Sequence, residues 1–181
     1  MPEEIEVPTE HLHEKMEEEL EEAKTERGWI SKVAVSSAIL AVAAAITALL
    51  ASHHSDEAIL EQMRATDQWS YYQAKGIKLA ILQGNIEQLQ TDGKAVGPER
   101  QAKVGVYQSE MKAIEEKGHE MEESSEDHMH HHVWFARGVT AFQIAIAMGA
   151  ISVLARRPRL WFVSLALGLA GAGFLGTGFF T

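Results

Sequence analysis

Three long apolar runs constrain this chain more than any other feature of its sequence. They cover residues 29–51, 133–155 and 160–180, and each has the roughly twenty residues that a helix needs to cross about 30 Å of hydrocarbon. The charged residues within them, Lys32 and Arg137, lie near the ends of their runs, where long basic side chains reach the polar interface. The pattern predicts three transmembrane helices.

Each run also has a tryptophan at or next to one end, as interfacial aromatic residues do: Trp29, Trp134 and Trp161. We therefore expect an all-α membrane protein. The alternative, a soluble bundle with three buried helices, fits less well because a 181-residue chain does not need three such runs for one core. The chain has no cysteine, which excludes disulfides and thiolate chemistry.

Basic residues near the apolar runs predict the orientation in the membrane. Arg156, Arg157 and Arg159 crowd the link between the second and third runs, and such clusters mark the cytoplasmic side. Three crossings then place the N-terminus and the 156–159 loop in the cytoplasm and residues 52–132 outside it.

Residues 1–28 form an acidic N-terminal arm. Leu12, Met16 and Leu20 recur at a spacing of four among many glutamates, which predicts an amphipathic helix. Two interpretations stay open. The helix is either solvated and weakly packed, or it docks on a basic protein partner.

The middle segment, residues 52–132, predicts a long extramembrane hairpin of two antiparallel helices. Gly93, Gly97 and Pro98 interrupt the helical pattern, so we place the turn near 92–98. No such interruption separates either arm from its apolar run. Each arm should therefore continue into its membrane helix.

An aromatic motif, WSYYQAKG, lies on the first arm, and an alternating three-four apolar seam lies on the second. Aromatic residues with a polar tip suit a helix interface that is dry at one end and wet at the other. We expect an inter-helix zipper, with ligand binding by the aromatic cluster as the alternative. The zipper residues are Trp69, Tyr72, Gly76, Tyr107, Met111 and Ile114.

The first arm carries two apolar stripes rather than one. Leu79, Leu82, Ile86 and Leu89 share one face, whereas Ile77 and Ile81 lie on another. A single hairpin cannot bury both faces. The pattern favours a homo-oligomer.

A hairpin that turns near residue 95 predicts which residues face each other. It places Lys75 opposite Glu115, and it places Thr47 opposite Gln143 as a polar pair inside the membrane. In the third run, small residues recur at a spacing of four and predict close helix packing: Gly168, Ala172 and Gly176.

Histidines gather where the arms meet the membrane helices. The stretches HHSDE and EDHMHHH hold six of the nine histidines. Three interpretations stay open: a polar junction, a divalent metal site, or a pH-responsive junction. The candidate metal ligands are His53, His54, His128 and His132.

The motif DQWSYYQAKGIK, residues 67–78, resembles the DQW-x-YYQAK-x-IK signature of a bacterial membrane family known as domain of unknown function 4337. An apolar run before the motif, a helical segment after it and two C-terminal runs are also similar to that family, over roughly residues 29–181. The resemblance implies the bacterial inner membrane. It brings no activity and no catalytic residues.

No serine elbow, phosphate-binding loop or basic nucleic-acid surface is present in the sequence, so we expect neither an enzyme nor a nucleic-acid partner. The expected function is a homo-oligomeric membrane scaffold or assembly module, with an arrangement around a pore left open. The alternative is a metal- or pH-responsive sensor or transporter that uses the histidine cluster.

Overall fold

The computed structural model describes residues 9–180, with side chains from residue 14 onward except residues 22, 23 and 26. Within this range the chain forms helices joined by two short links, and it contains no strand. The prediction of an all-α fold is confirmed. The helices are α1, Thr9–Thr91, α2, Pro98–Leu154, and α3, Pro158–Phe180.

Each helix contains a stretch that is long and apolar enough to cross a membrane, by length and composition. Only 17% of that stretch is buried within the chain in α1 and α3, and 33% in α2. Exposing apolar surface to water costs about 25 cal/mol per Å². These surfaces therefore suit lipid or other chains, and the prediction of three helices able to cross a membrane is confirmed.

Gly93 ends α1 in the left-handed backbone conformation, with φ of 72°. Its N–H donates to the Gln90 carbonyl at 3.1 Å, and the Lys94 N–H donates to the Leu89 carbonyl at 2.9 Å. This Schellman arrangement satisfies two carbonyls that the last turn leaves without helical partners. Pro98 then begins α2, where its missing N–H would have had no partner.

The same pair of hydrogen bonds ends α2, but an arginine occupies the left-handed position. Arg156 has φ of 51°, and its N–H donates to the Val153 carbonyl at 3.1 Å. The Arg157 N–H donates to the Ser152 carbonyl at 3.0 Å. A residue with a Cβ in this conformation costs about 1–2 kcal/mol. The tight link to α3 is thus built from exposed arginines, although glycine would fit this backbone with less strain.

The chain divides into two compact units. The span unit comprises residues 9–48 together with 135–180, and the arm unit comprises residues 49–134. The described part of the acidic arm, residues 9–28, belongs to the first of these segments. Its Met16 and Leu20 side chains are exposed, whereas residues 1–8 and the side chain of Leu12 lie outside the described residues.

Aromatic rings packed against glycines form the core of the span unit. Phe135 and Phe142 of α2 are fully buried. A Cβ added to Gly171 would lie 2.9 Å from the ring of Phe142, and one added to Gly178 would lie 2.7 Å from the ring of Phe135. Because both distances are shorter than real contacts, the α2–α3 packing depends on the missing side chains of these glycines.

The predicted row of small residues on α3 is only partly in contact. Gly168 is buried, and a Cβ there would lie 2.6 Å from Leu40. Ala172 is exposed, however, and a Cβ added to Gly176 would meet nothing within 4 Å. The buried face of α3 instead repeats about every 3.5 residues, through Ser164, Gly168, Gly171 and Gly178.

The predicted hydrogen bond between Thr47 and Gln143 does not form. The Thr47 hydroxyl donates to the Ala43 carbonyl at 2.7 Å, and Gln143 is exposed. Gly138 lies opposite Thr47, since a Cβ added there would be 3.2 Å from the threonine methyl group. A threonine inside a helix can satisfy its hydroxyl on the preceding turn, so this residue needs no partner from another helix.

We expect Gly171→Ala to destabilise the protein by about 1–3 kcal/mol, because the new methyl group would overlap the buried ring of Phe142. Gly173→Ala is the matched control, since a Cβ at this exposed α3 position meets nothing within 4 Å. Thermal unfolding in detergent, followed by circular dichroism, measures both effects. Equal melting temperatures for the two variants would contradict the described α2–α3 packing.

Candidate functional site

Two groups of polar and aromatic side chains lie where α1 meets α2 within the arm unit. Contacts between these helices run in opposite chain order. Residue numbers rise along α1 from Ala51 to Lys75, while those of their α2 partners fall from His132 to Glu110. We call the group around Trp69 and Lys75 the motif clasp and the group around His54 the histidine cluster.

Trp69 is the centre of the motif clasp. Its indole N–H donates to Glu122 Oε1 at 2.8 Å. The ring lies flat enough against α2 that a Cβ added to Gly118 would be 3.3 Å from it. Tyr72 and His119 meet the indole edge-on, with ring centroids 5.8 Å and 5.0 Å away. The tryptophan therefore packs its apolar body between helices and satisfies its one polar group across the interface.

Lys75 forms the second half of the motif clasp. Its ammonium group lies 2.6 Å from Glu110 Oε2, and its side chain is only 13% exposed. The same nitrogen is 5.4 Å from the ring centroid of Tyr71 and 5.2 Å from that of Tyr107, within cation–π range. The hydrogen bond to Glu110 raises the pKa of Lys75. This lysine thus stays charged while two rings and a carboxylate enclose it.

The predicted partner of Lys75 was Glu115, and this prediction is wrong by just over one helical turn. Gly76 lies against Met111, since a Cβ added to the glycine would be 3.5 Å from the methionine methyl group. That contact fixes the register of α1 along α2, and in this register Glu110 lies beside Lys75. The prediction assumed a turn centred on residue 95, with facing residues at equal distances before and after it.

Four of the six predicted zipper residues, Trp69, Gly76, Tyr107 and Met111, make contacts between α1 and α2. Trp69 touches Tyr72, Gly76 lies against Met111, and Tyr107 contacts Lys75. Ile114 is buried. The arrangement spans about four turns of each helix.

In the histidine cluster, the Nδ1 atoms of His54 and His128 face each other at 3.1 Å. The ring of His131 stacks on that of His54 at a centroid distance of 4.9 Å, and the ring of His53 lies 5.5 Å away. His132 lies one turn beyond His128, where its Nδ1–H donates to the Ala51 carbonyl at 2.8 Å. The structure therefore brings His54 and His128 together, with other imidazoles around them.

Burial lowers the pKa of His54, and the neighbouring imidazoles His131, His128, His53 and His132 lower it further, in that order. Burial disfavours the charged ring, and positive charge on a neighbour would repel it. The ring of His54 is consequently held in its neutral form at neutral pH. One of the two facing Nδ1 atoms can then donate a hydrogen and the other can accept it.

Within residues 9–180 no three His, Asp or Glu side chains converge closely enough to hold a metal ion as they stand. The four predicted ligands occupy different positions. His54 and His128 meet directly, His132 turns to a backbone carbonyl, and His53 is exposed.

Comparison with known proteins places this architecture in a family. Residues 29–181, which include the motif clasp and the histidine cluster, match the family described as Domain of unknown function (DUF4337). The chain belongs to this family. No curated protein and no solved structure matches it. The resemblance predicted from the motif is confirmed.

Two partners in this DUF4337 chain could not be identified from the sequence: Glu110 and Glu122. Acidic residues are frequent on α2, so no single glutamate stands out by type. The one indication of this contact in the sequence is Gly118, because a glycine inside an apolar seam allows a large side chain to approach the helix closely. Glu122 follows it by one turn on the same face.

We expect Trp69→Ala to destabilise the arm unit more than Lys75→Ala does. Truncating a fully buried aromatic costs about 3–5 kcal/mol, so we expect a loss below that range for the half-buried Trp69, and the change would also leave Glu122 without the indole N–H. Lys75→Ala loses one ion pair and two ring contacts but no comparable packing. Chemical unfolding followed by circular dichroism compares the two, with the exposed Gln73→Ala as control. A larger loss for Lys75→Ala would favour the ligand-binding interpretation of the motif.

Proposed function

We propose that this chain is a non-enzymatic, homo-oligomeric integral membrane protein of the bacterial inner membrane that acts as a scaffold or assembly module. The observation that carries the proposal is an apolar face of α1 that has no partner in the arm unit. Ile77 and Ile81 on that face are 63% and 60% exposed. A polar helical arm in water has no reason to keep such a face unless another chain covers it.

The proposed topology has three crossings, with residues 52–132 as an antiparallel hairpin outside the cytoplasm. The opposite chain order of the α1–α2 contacts supports the hairpin. The exposed arginines of the 156–159 loop support a cytoplasmic position for that loop and for the N-terminus. Exposed glutamates on the acidic arm, among them Glu17, Glu18 and Glu21, make a basic protein a candidate partner there.

The two faces of α1 in the arm unit differ sharply. The face toward α2 carries Leu79, Leu82, Ile86 and Leu89, all half-buried. The opposite face carries exposed apolar residues that fit one alternating three-four spacing through residues 60, 63, 67, 70, 74, 77 and 81: Leu60, Met63, Ile77 and Ile81. This spacing is that of a coiled-coil seam. One hairpin uses only the first face, so the second is available to a partner.

The occupant we infer is a second copy of the chain. Copies in one membrane share an orientation, so their α1 arms meet in parallel, an arrangement that a closed symmetric oligomer with its axis along the membrane normal provides. Asp67 and Ser70 interrupt the apolar seam, and polar seam positions fix register at some cost in stability. An open apolar groove beside Met63 extends the surface. Its lining residues are Ala58, Ile59, Gln62, Met63, Ser125, Glu126 and Met129.

We expect Ile77→Cys to give disulfide-linked dimers of the full chain upon mild oxidation. The chain has no cysteine of its own, so the only thiols are the introduced ones. Equivalent seam residues of parallel helices lie close to the symmetry axis, within reach of a disulfide. Gln73→Cys is the control, because Gln73 is exposed but lies roughly a quarter turn away from the seam.

Native mass in detergent completes this test. The wild type should be oligomeric, and a charged variant, Ile77→Glu with Ile81→Glu, should shift it toward the monomer while helix content stays unchanged. A wild-type monomer that keeps its helicity would refute the proposal. Equal cross-linking of the two cysteine variants would show that the seam is not the interface.

A further inference from the structure

We propose that His54 and His128 form the core of a binding site for a late first-row divalent metal ion, such as Zn²⁺, Cu²⁺ or Ni²⁺, that ties α1 to α2. The juxtaposition that carries this inference is the approach of the two Nδ1 atoms to 3.1 Å. These residues are 74 positions apart in the chain and come from different helices. The site exists only when the two arms are paired.

The distance between the two nitrogens fits ligands that share one metal ion. Zinc lies about 2.0–2.1 Å from imidazole nitrogen, so two such ligands of a tetrahedral ion are about 3.3–3.4 Å apart. The observed separation is slightly shorter than this. To bind the ion, both rings must present Nδ1 without its hydrogen and rotate so that the two nitrogens point at the metal rather than at each other.

The chemistry of the surroundings selects the class of metal. Four imidazoles act electrostatically on His54, those of His53, His128, His131 and His132. Imidazole nitrogen suits Zn²⁺, Cu²⁺ and Ni²⁺, whereas Ca²⁺ and Mg²⁺ prefer a shell of oxygen ligands. Among a polar junction, a divalent metal site and a pH-responsive junction, the geometry thus favours the metal site.

Two further histidines support the pair. His131 stacks its ring on that of His54 and so helps to position the pair, and water can complete the coordination. His132 has its tautomer fixed, because a carbonyl oxygen only accepts and Nδ1 must therefore carry the hydrogen. Histidines that bind metal usually donate their other N–H in this way. His132 can therefore support the site from beside the His54–His128 pair. His53 is exposed and is not one of the proposed ligands.

The inference goes beyond the scaffold proposal and does not depend on it. Both ligands belong to one chain, so a monomer can bind the ion and an oligomer can form without it. Failure of cross-linking at Ile77 would leave the metal site untouched. Failure of metal binding would likewise leave the oligomer untouched.

The experiment titrates Zn²⁺ and Cu²⁺ into the full chain in detergent, purified without a polyhistidine tag. Calorimetry gives the affinity, and electron paramagnetic resonance of the Cu²⁺ form counts the nitrogen ligands. We expect one ion per chain with at least two nitrogens in the wild type. His54→Gln and His128→Gln should each weaken binding by at least about tenfold. His130→Gln is the matched control, since this exposed histidine of the same tract packs on Trp134.

Two results would overturn the inference. One is a wild-type Cu²⁺ spectrum with fewer than two nitrogen ligands, which would leave the 3.1 Å approach as a hydrogen bond between the two rings. The other is an equal loss of affinity for His130→Gln and His54→Gln, which would show unspecific binding by the tract. Because the wild-type spectrum needs no substitution, the test holds even where a variant fails to fold.

Discussion

A backbone N–H or C=O group inside a bilayer finds no water, so a segment that is able to cross a membrane must satisfy these groups within the chain. A helix meets this requirement without help from any other segment. Once an apolar run has become helical, the helix continues until a residue leaves the helical conformation. Gly93 and Arg156 adopt the left-handed conformation just after the last residues of α1 and α2, and Pro98 and Pro158 begin the helices that follow. The great length of α1, 83 residues, reflects the absence of any proline within it.

The two units solve helix packing with different side chains. The helices of the span unit are able to cross a membrane, and between helices in lipid close contact has to provide the attraction, because lipid is as apolar as the side chains themselves. Glycine supplies this contact by admitting the rings of Phe135 and Phe142 to the backbone of α3. In the arm unit the side chains are amphipathic. Trp69 and Lys75 each bury an apolar part and pair their polar atom across the interface.

The arm unit also concentrates the residues from which a function can be argued. The motif that defines the family resemblance turns out to build the contact between α1 and α2 rather than an open pocket: both Trp69 and Lys75 have partners on α2. A structural role explains why tryptophan, tyrosine and lysine occur together in a polar helix. What the clasp leaves uncovered is the opposite face of α1, with Ile77 and Ile81, and the histidines near Ala51. These are the surfaces through which the paired arms can meet a second chain or an ion.

The sequence by itself determined the helical class, the three runs able to cross a membrane, the break near residue 95 and the family, because each depends on local composition or on residue spacing. It also determined which faces of the arms are apolar. It did not determine the level at which two helices meet, and so it assigned Glu115 instead of Glu110 to Lys75 and paired Thr47 with Gln143. Periodicity fixes the rotation of a helix about its axis, but sliding one helix along another by a turn keeps the same faces in contact. Only the fit of particular shapes, such as Gly76 on Met111 and Gly118 under Trp69, selects one level, and that fit exists only in the tertiary structure.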